Sequence, residues 1–399
     1  MENIKIVYRD HKAKAYHNPA YGVEKAQEVQ AFHQSFPEYE PTPLANFTNL
    51  AKEFGVAGLY LKDESKRFGL NAFKVLGGSY AIGKEIAKKA NLKSLSFDTL
   101  MDPATREATG RMTFVTATDG NHGRGVAWTA NRLDHSSVVF MPKGSSQERL
   151  ENIQQFATEA SITKLNYDDA VRMAASYAKS FNWTMVQDTA WEGYEEIPRH
   201  IMQGYTTMAA EAVAQLDGVV PTHVFLQAGV GSMAAAVAAY LCDYYGENRP
   251  HITIVEPNKA DCLYRTAEAN DGQLHFVTGH MDSIMAGLCC GEPCTLAWQV
   301  LDKCADAFVS MPDWVSANGM RLLANTPMGD PRVTSGESGA AGFGLASAVL
   351  AYKQLAPLKE AIGLKENSVI LCFSTEGDTD KANYRSICWA GAYSSPLKD

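Results

Sequence analysis

The sequence predicts an α/β fold built on open, mostly parallel twisted sheets, and three observations carry that prediction. Short β-branched runs alternate with helix-like segments through most of the 399 residues: "SSVVFMPKG" precedes "SSQERLENIQQFA", and "THVFLQAGVG" precedes "SMAAAVAAYLCDYYG". Two further runs, "HITIVEP" and "SVILCFST", end in turn residues, as short buried strands do. Three glycine turns open onto helices, the arrangement in which open α/β sheets bind ligands at the carboxyl ends of their strands.

Composition bounds the rest. At 46% apolar and 20% charged, the chain is ordinary globular material, long enough for two domains and a sizeable core. A net charge of −9 gives no reason to expect nucleic acid or an anionic membrane as partner. The opening "MENIKIVYRDHKAKAYHNP" is polar, and no segment approaches the roughly 20 apolar residues of a membrane span. A cytoplasmic address is expected. All eight cysteines follow residue 240, and Cys289, Cys290 and Cys294 do not form paired C-x-x-C units with histidines, so no metal site is expected. In the cytosol they read as small buried hydrophobes, with a disulfide between Cys262 and Cys290 left open. The stretch "KKANLKSLSFDTLMDPATREATGRM" reads as a polar, irregular surface excursion.

Four segments carry chemistry. In "DESKRFGLNAFKVLGGSYAIGKEIAKKA", Lys74 follows Phe73 and opens an amphipathic helix. A helix N-terminus and burial both disfavour the ammonium, leaving the neutral amine that attacks carbonyls. In "LQAGVGSMAAAV" a strand ends in glycines and a helix begins, which offers backbone N–H groups and a helix dipole to an anion, most naturally a phosphate. No Gly-Lys-Ser/Thr follows, and the full G-x-G-x-x-G is missing. In "TATDGNHGRG", Gly120 and Gly123 flank Asn121 and His122; Asn121 suits a phenolic oxygen, and the turn suits a carboxylate. In "VILCFSTEGDTDKANY" a strand ends at Ser374, whose hydroxyl suits a ring nitrogen without protonating it. Taken singly, each has a plain alternative: a surface lysine, a tight turn, a structural histidine, a capped turn.

Together an amine, a phosphate cup, an Asn for a phenolate and a hydroxyl for a ring nitrogen describe pyridoxal phosphate. The chain resembles the fold-type II pyridoxal-phosphate enzymes: threonine and serine dehydratases, cysteine synthase and the tryptophan synthase β subunit. The resemblance runs in the family's order through "YEPTPL", "NAFKVLGG", "DGNHG", the glycine cup, "VEPNKADCL", "MAGLCCGEP", "SGESGAAG" and "STEGDTD". It implies that Lys74 carries the cofactor as a Schiff base, with Phe73 packed near it and Asn121 at the ring oxygen. It further implies that the amides of Gly229, Val230, Gly231, Ser232 and Met233 hold the phosphate. Gly287 would lie against the cofactor, and Ser374 would face the pyridine nitrogen, with Thr375 the neighbouring candidate. A neutral partner there fits β-elimination better than transamination. The resemblance also implies a large cofactor domain of residues 1–84 and 191–399, a small domain of 85–190 that closes over the substrate, and a homodimer.

One position departs from the family. Before Gly-Asn-His the family has Ser, Thr or Ala; here stands Asp119. A second acid, Asp188 in "VQDTAWEGYEEIP", follows another strand-like run toward the same cleft. Carboxylates suit a β-ammonium group, and once protonated can supply a proton to departing ammonia. The expected reaction is elimination from 2,3-diaminopropionate, D and L alike, to pyruvate and two ammonia. Lys74 would be the base on one face and Asp119 on the other, with Thr118, Gly120, His122 and Asp188 completing the substrate site. If Asp119 is merely a helix cap, a serine/threonine dehydratase is the alternative. A non-catalytic cofactor or amino-acid sensor is the rival from another class.

Overall fold

The computed structural model describes residues 4–9, 15–118 and 120–397. Among them eleven strands run in chain order: β1 (Lys5–Tyr8), β2 (Leu44–Asn46), β3 (Gly58–Asp63), β4 (Thr113–Ala117), β5 (Ser136–Met141), β6 (Glu159–Ile162), β7 (Thr184–Met185), β8 (His223–Gln227), β9 (His251–Pro257), β10 (Ala307–Met311) and β11 (Val369–Ser374). The chain divides into two compact units, one of Met1–Val23, Thr42–Lys66 and Met208–Asp399, the other of Glu24–Pro41 and Arg67–Thr207.

The first unit holds a seven-stranded sheet in the order β1-β10-β9-β8-β11-β3-β2. Its inner pairs are parallel, and the two edge strands β1 and β2 run antiparallel. Strands β8 and β10 are buried along their whole length, as continuous apolar runs between covering layers must be. Parallel neighbours need crossovers, and the helix Ser232–Tyr245 supplies the one from β8 to β9. It is Ala-rich and buried from Ser232 through Cys242, apolar all round because it is covered all round. Phe47, Leu61, Phe225, Val309, Phe343 and Ile370 belong to this unit's main core. Since β8 and β11 pair in parallel, their carboxyl ends, Gln227 and Ser374, open at the same edge of the sheet.

The second unit holds a four-stranded, all-parallel sheet in the order β6-β5-β4-β7. Alternate residues of β5 serve opposite faces: Val138 and Phe140 pack with Ala170 and Ala174, while Val139 and Met141 pack with Ala127, Leu150 and Ile153. The helix Asn121–Arg132 follows β4, and β7 lies beside β4 with Met185 opposite Val115.

The helix Val75–Ala90 is held unusually close in this unit. A Cβ on Gly125 would stand 2.8 Å from Val75 Cα, and one on Gly204 would stand 2.2 Å from the Leu76 carbonyl oxygen. The first turn of the helix is thus gripped backbone to backbone, on one side by the helix Asn121–Arg132 and on the other by the helix Glu196–Gln215.

Two expectations differ from what is found. The polar stretch after residue 88 contains two short helices, Phe97–Met101 with a Ser96/Thr99 capping box and Pro103–Thr109 capped by Asp102. Phe97 and Leu100 are buried there; two apolar residues among many polar ones left little signal. The second unit contains residues 85–190 but also takes in 24–41, 67–84 and 191–207. A boundary after residue 84 would cut the helix Val75–Ala90, and Phe32 and Phe36 from the early segment pack on Tyr80 and Trp128. No helix among the described residues is long and apolar enough to cross a membrane.

Because the neighbour at Gly204 is a backbone carbonyl, which cannot swing aside, Gly204→Ala is expected to cost about 1–3 kcal/mol or more. A fall in Tm of the holoenzyme checks this; an unchanged Tm would show that the two helices are not in such close contact.

Candidate active site

In the second unit, the grip on the Val75–Ala90 helix places Lys74, its N-cap residue, where its Nζ forms an ion pair with Asp188. Asp188 stands just past β7, beside the carboxyl end of β4 where the Asn121 turn begins. His122 fixes the geometry from the other side. Its Nε2 donates to the Val186 carbonyl at 2.8 Å, and its Nδ1 lies 4.0 Å from Asp188 Oδ2. Burial pushes the Asp188 carboxyl upward, but the Lys74 charge, then His122 and the Lys74 hydrogen bond, outweigh it. The carboxyl is held well below the usual carboxylate range. The sequence suggested a neutral amine at Lys74. In the structure that amine is paired with a carboxylate held ionised, a partner distant in sequence.

The surroundings follow from the same packing. Lys74 Nζ lies 5.6 Å from the centroid of the Phe73 ring, which in turn meets the Tyr205 ring at 4.8 Å. Asn121 is the first residue of its helix and is half-buried. The turn before it is capped by Thr118, whose hydroxyl accepts from the N–H groups of Gly120 at 3.0 Å and Gly123 at 3.2 Å. Asp119 lies outside the described residues.

A second buried lysine provides a contrast. Lys62, in the first unit, is fully buried, and its Nζ contacts Glu211 at 2.7 Å, the Thr42 carbonyl at 2.6 Å and Gln215 Oε1 at 2.8 Å. Three partners occupy its three donors, which marks it as a structural cation. The Lys74 side chain is 21% exposed, so its amine is open to a reactant as well as to Asp188.

The first unit carries the rest of the expected set. Gly229 follows β8 so closely on its neighbours that a Cβ would stand 3.1 Å from Cys290 Sγ and 3.2 Å from Leu288 Cα. Gly231 has φ +98°, a conformation that favours glycine, and the Ser232–Tyr245 helix starts directly after it. Val230, Ser232 and Met233 complete this turn, whose helix N-terminus is a ready anion cradle. At the neighbouring strand end, Ser374 is fully buried, with its hydroxyl donating to Ser335 Oγ at 2.7 Å. Thr375 Oγ1 accepts from Gln227 Nε2 at 3.0 Å, tying the ends of β8 and β11 together. The Gly287 N–H donates to Ser338 Oγ at 3.1 Å. None of the eight cysteines is joined in a disulfide, Cys262 and Cys290 included, and burial pushes the Cys262 thiol up. Among the described residues no group of three side chains is placed to hold a metal ion.

In the first unit a glycine-rich cradle at a helix N-terminus fits a phosphate and a buried hydroxyl fits an unprotonated ring nitrogen; in the second, taken by itself, a partly exposed lysine amine fits an aldehyde. Those are the groups of pyridoxal phosphate. Sequence reasoning did not single out Gly125, Gly204 or Tyr205, which build the wall behind Lys74. The "GY" in "RHIMQGYTTM" was the available signal, a glycine inside a helical pattern.

The pyridoxal-phosphate dependent enzyme family matches residues 36–370, and the chain belongs to that family. Diaminopropionate ammonia-lyase of Escherichia coli (strain K12) is 50% identical over 381 residues, covering 94% of each chain. The holo crystal structure of diaminopropionate ammonia lyase from Escherichia coli superposes with a TM-score of 0.92 at 47% identity, over 98% of each chain. The same enzyme in complex with D-serine gives 0.91 at 47% identity, again over 98% of each.

Removing half of a buried pair strands the other charge, so Asp188→Asn in cofactor-free protein is expected to lose on the order of 3 kcal/mol at pH 7. A carboxyl with a depressed native value stabilises the fold above its unfolded value, near 4, and loses that contribution as pH falls toward the native one. Urea midpoints should therefore differ between variant and wild type at pH 7, and the difference should begin to shrink below about pH 4 and go on shrinking as pH falls toward the native value. A difference that persists undiminished at low pH would contradict the ion-pair assignment.

Proposed function

We propose that the chain is a carbon–nitrogen lyase that eliminates ammonia from 2,3-diaminopropionate, D and L, and, with hydrolysis by one water, gives pyruvate and two ammonia. The observation that carries this is the contact between the Lys74 amine and Asp188, a carboxylate held ionised beside it. Bound pyridoxal phosphate joins amines covalently through its aldehyde and draws negative charge from the substrate Cα into its ring.

The chain's own residues do the rest. Lys74 is the attachment point and, once displaced, the base that takes the α-proton on its face. The amides of Gly229, Val230, Gly231, Ser232 and Met233 hold the phosphate, Asn121 meets the ring oxygen, and Gly287 leaves room beside the ring. Ser374 gives the ring nitrogen a neutral partner, which limits the charge the ring absorbs and suits a short-lived carbanion. Asp188 is the counter-ion of the substrate's β-amine, keeping it protonated so that it departs as neutral ammonia. His122 orients Asp188, and Gly120 and Thr118 shape the turn that meets the substrate carboxylate.

Asp119 is the base on the opposite face, for the D-isomer. The Thr118 hydroxyl already accepts from the amides of Gly120 and Gly123, so a carboxylate at 119 is not required to cap them. The Escherichia coli relative's D-serine complex supports a site that admits D-amino acids. Closure of a smaller domain on the substrate, a homodimer and a cytoplasmic address belong to the same reading.

Pyruvate release from D- and L-2,3-diaminopropionate and D- and L-serine, by wild type and Asp119→Asn, tests it. Loss of a general base costs about 10²–10⁴-fold, expected here for the D-isomer with the L-reaction largely spared. Turnover of serine or threonine with none of diaminopropionate would sink the proposal in favour of a dehydratase with a capping acid. Bound cofactor with no turnover of any amino acid would favour a sensor.

A further inference from the structure

Tyr205 lies within the helix Glu196–Gln215, fully buried, and its hydroxyl has no hydrogen-bond partner. Its ring sits on Phe73 at 4.8 Å, and its edge stands 2.6 Å from where a Cβ on Gly77 would be. Burial pushes the phenol up, and the charges of Lys74 and Asp188 both act on it. A phenylalanine would make the same ring contacts without stranding a buried donor, which is unfavourable. The hydroxyl is therefore unused while Lys74 sits on Asp188.

We propose that Tyr205 is a positioning residue for Asp188: when the cofactor engages Lys74 and draws its amine from the carboxylate, the Tyr205 hydroxyl donates to Asp188 in its place. This rests on the roles given above to Lys74 and Asp188. The groups that act on Asp188 are Lys74 from the Val75–Ala90 helix, His122 from the Asn121–Arg132 helix, Tyr194 from the segment after β7, and Tyr205. Position 119 lies outside the described residues. Tyr194 is committed elsewhere, and so is one nitrogen of His122, whose Nδ1 stands 4.0 Å from Asp188 Oδ2. His122 Nε2 donates to Val186, and the Tyr194 hydroxyl donates to the Met185 carbonyl at 2.9 Å while accepting from the Gln187 N–H at 2.8 Å. Tyr205 alone of these brings a hydroxyl with nothing else to bond.

The test uses holoenzyme carrying Tyr205→Phe, Asp188→Asn, or both. Stripped of cofactor, Tyr205→Phe is expected to match or exceed wild type in Tm, since the hydroxyl is unused while Lys74 sits on Asp188, and it should take up a full complement of cofactor. Removing a donor from a carboxylate raises its pKa, so the acid limb of kcat/KM should move up by about one pH unit, with KM for L-2,3-diaminopropionate raised about tenfold and kcat changed less. The pH midpoint of the bound cofactor's absorbance, which needs no turnover, should also move. In the Asp188→Asn background the Tyr205→Phe change should add nothing. A wild-type pH profile and absorbance midpoint in Tyr205→Phe, or an equal effect in the Asp188→Asn background, overturns the proposal. A wild type inactive on diaminopropionate would instead sink the reading of function, and the absorbance titration would still decide the role of Tyr205.

Discussion

The close approach of backbone at Gly125 and Gly204 is the constraint on which the reactive half of the second unit depends. With a methyl group at either position, the first turn of the Val75–Ala90 helix would have to move off its neighbours. Lys74 sits at the N-cap of that turn, so its reach to Asp188 is fixed by main-chain packing rather than by its own flexible stem. A buried ion pair offsets its desolvation only when geometry is well enforced, and two helices in backbone contact enforce it. Lys62 shows the other outcome: a lysine saturated by partners is stable and unreactive.

The first unit reaches its chemistry by a different route. Parallel pairing sends the ends of β8 and β11 out side by side, so one strand supplies the glycine cradle and its neighbour the Ser374 hydroxyl. The Gln227–Thr375 hydrogen bond locks those ends together. On the proposed reading Ser374 would give the ring nitrogen a neutral partner, which suits elimination better than transamination.

Much of this was legible in the chain because its signals are local. Runs such as "HVFLQ" and "VILCFS" have the β-branched, unbroken apolarity of strands buried on both faces, and each ends where the turn residues say it should. The cradle and the Asn121 turn were readable as glycines at strand-to-helix junctions. What was not legible is long-range. That the Thr118 hydroxyl caps the Asn121 turn has no local mark in the sequence, and that residues 24–41 join the second unit depends on an aromatic cluster with Tyr80 and Trp128. The charged partner of Lys74 lies on a strand end far along the chain, and Tyr205 carries no local mark beyond the glycine before it.

The central claim is that Lys74 is the amine the cofactor joins. Borohydride reduction of the holoenzyme followed by peptide mass mapping tests it most directly, since reduction makes that attachment permanent. The account predicts a single pyridoxyl-phosphate addition, on the peptide that carries Lys74. An addition on Lys62 or any other lysine, or none at all in protein with bound cofactor, would contradict it.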